Sequence, residues 1–79
     1  MNNQRVVLDS TCVASVLFLA EQNVMEVVFR NGLVYRYFGV PLEVFQQMLA
    51  ASSKGAFMSR FVRNRFPYQR VDHSGEPTQ

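Results

Sequence analysis

Two short apolar-rich runs, Val24–Arg30 and Leu33–Phe38, flank Asn31-Gly32. Asn-Gly between such runs is a strong hairpin signal, because both residues tolerate the left-handed backbone of a tight turn. A two-residue loop pairs Arg30 with Leu33. Tyr35 and Tyr37 then lie beside Val28 and Glu26, away from Met25, Val27 and Phe29. A three-residue loop with Gly32 as a G1 bulge pairs Phe29 with Leu33 instead. Met25, Val27, Phe29, Leu33, Tyr35 and Tyr37 then share one face, while Glu26 stands opposite Arg36 on the other. This register gives a clean apolar face and a cross-strand charge pair, and is the one expected.

The flanking segments build a domain around that hairpin. Residues 1–12 read as an extended lead-in. Val13–Ala20, rich in Val, Leu and Phe, reads as a strand that reaches the hairpin through the polar turn Glu21-Gln22-Asn23. Pro41 suits the first turn of a helix, where its missing N–H costs nothing. A helix is expected over about Pro41–Ala51, with Val44, Phe45, Met48 and Leu49 as its core stripe and Glu43, Gln46 and Gln47 facing water. Ser53 suits the N-cap of a second helix, over about Gly55–Arg65, that stops before Pro67. Its expected buried stripe is Phe57, Met58, Phe61 and Val62, with Arg60, Arg63 and Asn64 on the opposite side. The expected fold is α+β: a three-stranded antiparallel meander followed by two helices packed on one sheet face. Residues 1–71 form one domain in this reading, and 72–79, with Gly75 and Pro77, a flexible tail.

At 79 residues and 48% hydrophobic content, the chain has the composition of one small globular domain. A domain of this size buries only roughly 60% of its unfolded surface, so dimerisation is one way to add core. One cysteine, Cys12, permits no internal disulfide and fits a reducing compartment; it reads as a small buried or half-buried residue. The N-terminus lacks the pattern of a secretory leader. Val13–Ala20 falls far below the ~20 apolar residues of a membrane span. A soluble, cytoplasmic protein is expected. His73 is the one histidine, and no metal-ligand cluster, cofactor motif or nucleophile–base set is visible. The expectation is a chain that is no enzyme and carries no metal or cofactor.

Charge is segregated. Lys54, Arg60, Arg63, Arg65 and Arg70 place five positive charges in a stretch with no acid, although the whole chain carries a net charge of only +2. Ordinary soluble helices intersperse Glu with Arg to gain pairing one turn apart. Arginine also suits phosphate, because its planar fork donates parallel hydrogen bonds. The bland alternative is a solvated helix face. Ser53-Lys54-Gly55 could hold a phosphate at a helix start, or simply cap and turn the chain; it is not a P-loop. Tyr35 and Tyr37 are core residues in the expected register and an exposed stacking platform in the other. Phe66 and Tyr68 flank Pro67 beside Arg65 and Arg70, a mixture suited to single-stranded nucleic acid.

Met25-x-Val27-x-Phe29, Gly32, Tyr35-Arg36-Tyr37, Val40-Pro41, Ala51-x-Ser53-Lys54-Gly55 and Pro67-Tyr68 occur in that order. Together they resemble the KTSC domain family, named for the C-terminal domain of some lysyl-tRNA synthetases and found also as short stand-alone bacterial proteins. The resemblance covers about residues 5–71. The family hallmark is a central Tyr-x-Tyr, here Tyr35 and Tyr37. Where the family tends to show Tyr-Asp, this chain has Phe18-Leu19, and Phe57-Met58 stands where Tyr-Phe is common. The resemblance implies a small RNA-binding module, with tRNA or another structured RNA as partner. The candidate phosphate contacts are Lys54, Arg60, Arg63, Arg65 and Arg70. The alternative is a protein-interaction or adaptor domain, as a homodimer or on a larger enzyme, using the outer sheet face that carries Val28, Val34 and Phe38.

Overall fold

The computed structural model describes residues 3–71. Five strands form one antiparallel sheet in the order β1-β2-β3-β4-β5: Gln4–Val7, Val13–Leu19, Val24–Phe29, Val34–Phe38 and Tyr68–Val71. Between β4 and β5 lie α1 (Leu42–Ala50), α2 (Lys54–Phe57) and a π-helical turn (Met58–Val62) that continues α2. The architecture is α+β, with two helices on a five-stranded antiparallel sheet. The expected three-stranded meander is therefore incomplete. The lead-in contributes β1, and the segment after Pro67 returns to the sheet as β5. Both added strands are four residues long. Each depends on pairing with a longer neighbour for its stability, and such short stretches carry little periodicity of their own. The expected tail, 72–79, lies outside the described residues.

The hairpin adopts the bulged register. The Phe29 N–H donates to Leu33 O over 2.9 Å, and the Gly32 N–H to Phe29 O over 3.0 Å. Gly32 has φ +91°, a conformation that penalises any side chain. The Asn31 side chain accepts from Leu33 N at 3.0 Å and closes the loop. Val27 then pairs with Tyr35, Met25 with Tyr37, and Glu26 with Arg36. Arg36 donates to one Glu26 oxygen through Nη2 at 2.8 Å and Nε at 3.2 Å, so the expected cross-strand charge pair forms. On the other side of β3, the Leu19–Val24 turn places Asn23 at φ 54°, which asparagine tolerates better than most residues.

The core lies between the helices and the sheet face of Val16, Phe18, Met25, Val27 and Tyr37, all of them buried. From α1, Phe45 and Met48 meet this face while Glu43, Gln46 and Gln47 stay in water, as the stripe predicts. Phe18 stacks on Phe45 with ring centroids 4.9 Å apart and planes 9° from parallel. The second helical segment departs from expectation. The Arg63 N–H donates to Met58 O, five residues back, at 2.9 Å. That wider turn spaces the buried set as Phe57, Met58 and Val62, and Phe61, expected inside, is 44% exposed. Arg30 secures the β1–β2 loop, donating to Ser10 O at 2.9 Å and Leu8 O at 2.8 Å. Cys12, in that loop, is exposed rather than buried or half-buried.

Removing the Phe45 ring deletes one half of the central stack and leaves a cavity. Phe45→Ala should lower stability by about 3–5 kcal/mol, much of the total for so small a domain. Urea unfolding followed by circular dichroism measures this, and a loss below about 1 kcal/mol would place the centre of the core elsewhere.

Candidate functional site

The return of the chain as β5 creates a site that the hairpin alone lacks. Tyr68 pairs with Tyr37, and Arg70 with Tyr35, across the β4–β5 ladder. Residues paired across a ladder project from the same face, so Tyr68 and Arg70 join Tyr35 and Tyr37 on the helix side of the sheet. The end of the helical segment reaches the same place. Tyr35, Tyr37, Tyr68, Arg63 and Asn64 line one small pocket of about 130 Å³. The Tyr35 and Tyr68 ring centroids are 5.2 Å apart, those of Tyr37 and Tyr68 5.7 Å, and those of Tyr35 and Tyr37 6.4 Å. Phe29 extends the cluster edge-on to Tyr35 at 5.6 Å.

The three tyrosines differ in burial. Tyr37 is 1% exposed, Tyr35 is half-buried, and Tyr68 is 56% exposed at the rim. Tyr37 is thus the core residue that the bulged register predicts, while Tyr68 supplies an open ring. Burial raises the Tyr37 hydroxyl to about pKa 12, opposed in part by the positive charge of Arg63. The phenol therefore stays protonated throughout the physiological range and remains a hydrogen-bond donor. Tyr35, Tyr37, Tyr68, Arg63 and Asn64 each bring a hydrogen-bond donor to the lining of this pocket.

The remaining basic residues separate into two places. Arg60 and Arg65 are exposed, and the Arg65 guanidinium stands 5.9 Å from the centroid of the exposed Phe61 ring. Lys54 is elsewhere. Its ammonium donates to Leu49 O at 3.0 Å and to Ala51 O, completing the C-terminal end of α1. Ser53 caps α2, its hydroxyl accepting from Ala56 N at 3.2 Å. Gly55 lies against the β1–β2 loop, where an added β-carbon would stand 3.2 Å from Cys12 Cβ. The cleft beside these residues also contains Asp9. Ser53-Lys54-Gly55 thus works as a cap, a clamp and a close approach, the bland alternative of the sequence reading. Its one cation is engaged and an acid stands beside it.

Sequence reading found Tyr35, Tyr37 and Arg63 separately and missed their meeting with Asn64 and Tyr68. The signal available was Tyr68-Gln69-Arg70-Val71, whose alternation marks a strand with Tyr68 and Arg70 on one face. Among the described residues, no group of three His, Cys, Asp or Glu side chains is placed to hold a metal ion. No helix there is long and apolar enough to cross a membrane.

The family model of the KTSC domain matches residues 9–66. The chain belongs to the KTSC domain family. A KTSC domain protein of Yersinia pestis has the same fold, with a TM-score of 0.81 at 28% identity over 89% of this chain and 99% of the other. An uncharacterized protein of Stutzerimonas stutzeri (strain A1501) is 39% identical over 70 residues, covering 87% of this chain and 99% of its own length. The lysine–tRNA ligase of Trichormus variabilis is 40% identical over 43 residues, which are 54% of this chain and 8% of the ligase. The chain is thus similar to proteins of about its own length and, over about half of its residues, to a short segment of a ligase. Phe18, within the matched segment, is the ring stacked on Phe45 in the middle of the core.

Two outcomes follow from these assignments. Lys54→Met removes charged hydrogen bonds to two carbonyls and should cost about 1–3 kcal/mol in urea unfolding. Retained stability would free Lys54 for another role. The folded state raises the Tyr37 pKa above its ordinary value of 10. The stability tied to its neutral form should be complete below pH 10 and fall as pH rises toward about 12. Tyr37→Phe should flatten that alkaline decline, and an unchanged slope in unfolding curves across this range would refute the assignment.

Proposed function

We propose that this chain is an RNA-binding module that contacts phosphates through Arg60, Arg63, Arg65 and Arg70, with exposed rings beside them. The observation that supports this best is the convergence of cations and aromatics at β4, β5 and the end of the helical segment. Arg63 lines the tyrosine pocket, Arg70 is in register with Tyr35, and Tyr68 offers an open ring. Guanidinium forks suit phosphate oxygens, and exposed rings stack on unpaired bases without demanding a sequence. The segment from Lys54 to Arg70 contains no acid. The synthetase similarity is consistent with tRNA or another structured RNA, read by shape and backbone. Lys54 is left out, because its charge is engaged with carbonyls of the chain itself.

A second reading rests on the opposite sheet face. Val7 is 80% exposed there, and Leu17, Leu19, Val28 and Phe38 are half-buried. Such a face suits protein contact, as a homodimer or on a larger assembly. Association of that kind should survive high salt in size-exclusion chromatography, whereas bound RNA should be stripped.

The test of RNA binding is fluorescence anisotropy with labelled bulk tRNA at about 50 and about 200 mM salt, using nuclease-treated protein. Four arginine–phosphate contacts imply roughly a hundredfold loss of affinity across that range. Replacing Arg60 and Arg63 by Gln should reduce the loss to roughly tenfold. Unchanged affinity and salt slope in the double variant would sink the proposal.

A further inference from the structure

The pocket of Tyr35, Tyr37, Tyr68, Arg63 and Asn64 has a chemistry narrower than a basic surface requires. Each of its residues carries a hydrogen-bond donor, and no carboxylate lines it. The volume, about 130 Å³, is well below the ~300 Å³ at which pockets for drug-sized ligands begin. That size suits a small anion such as phosphate better than a whole nucleoside. Tyr37, 1% exposed, belongs to the core beneath the opening, so the pocket ends in the protein.

We propose that this pocket binds the terminal phosphate of an RNA strand, with Arg63 as its charge partner. The inference rests on the RNA-binding reading and goes further by naming the group that is held. An internal phosphodiester carries one charge, offers two non-bridging oxygens and continues in both directions, so it makes less use of a pocket that ends on Tyr37. A terminal phosphomonoester carries about −1.5 to −2 charge at neutral pH and presents three acceptor oxygens. One guanidinium, three phenols and a carboxamide match that demand. Burial keeps the Tyr37 phenol protonated, as a donor must be. Tyr68 at the rim offers its exposed ring to the terminal base.

A free mononucleotide carries the same group, so the test separates the two sources. Anisotropy is measured with three RNA oligonucleotides of one sequence, bearing a 5′-phosphate, a 3′-phosphate or hydroxyls at both ends. Adenosine 5′-monophosphate is titrated in parallel, with the tyrosine ring resonances followed by NMR. One phosphorylated end should bind roughly tenfold or more tightly than the unphosphorylated strand, a ratio worth one charge-assisted hydrogen bond. Tyr37→Phe should bring that ratio close to one. Asn64→Ala should lower it as well, and its exposed position keeps the core intact. Equal affinity for all three strands would overturn the end-phosphate site and leave RNA binding standing. Ring shifts with the mononucleotide but no binding of any strand would overturn both the strand-end site and the RNA reading. No binding in either experiment would overturn both as well.

Discussion

The bulged Asn31-Gly32 turn is the constraint on which the rest of the structure depends. One residue more or less in that loop exchanges the faces of β4 against β3. With Gly32 at φ +91°, Met25 and Val27 stand beside Tyr37 and Tyr35 on the side the helices cover. Arg36 falls on the other face and reaches Glu26. The opposite register would send both tyrosines outward and leave a cation beneath the helices, where an unpaired charge is costly. The Phe18–Phe45 stack joins α1 to the face so defined.

Everything after α1 serves to turn the chain and bring it back. Ser53 caps α2, Lys54 holds the carbonyls at the end of α1, and Gly55 lets the backbone approach Cys12. The π-helical turn then places Val62 in the core and leaves Phe61 outside. Its last residues are followed by Pro67 and β5. The result is a division of labour within one basic segment. Its first cation stabilises the fold, while Arg63 lines the tyrosine pocket and Arg65 stands over the Phe61 ring.

Tyr35 and Tyr37 show how one motif can serve both stability and binding. Tyr37 contributes a ring to the core, and Tyr35 bridges Phe29 and Tyr68. Their hydroxyls lie where the ring cluster meets Arg63 and Asn64. Loss of either tyrosine therefore perturbs packing and surface chemistry together, and a Phe replacement separates the two by keeping the ring.

The hairpin, its register, the Glu26–Arg36 pair, the core stripe of α1 and the Ser53 cap were all legible in the chain. Each rests on near neighbours: alternation along a strand, a turn residue, the spacing of one helix, or a hydroxyl three residues from an amide. The KTSC membership was legible for the same reason, since its motif is a linear order of residues. What the sequence did not reveal depends on contacts between distant segments. β1 and β5 are strands because β2 and β4 offer them free edges, and four residues alone do not declare this. Lys54 looked like one more surface charge until α1 turned its last carbonyls toward it. The exposure of Phe61 follows from the wider spacing of the π-helical turn. Most of all, the pocket combines β4, β5 and the end of the helical segment, so its five donors become one site only through tertiary folding. Local patterning determined the elements and their faces, and packing between distant segments decided the edges, the fate of each charge and the site.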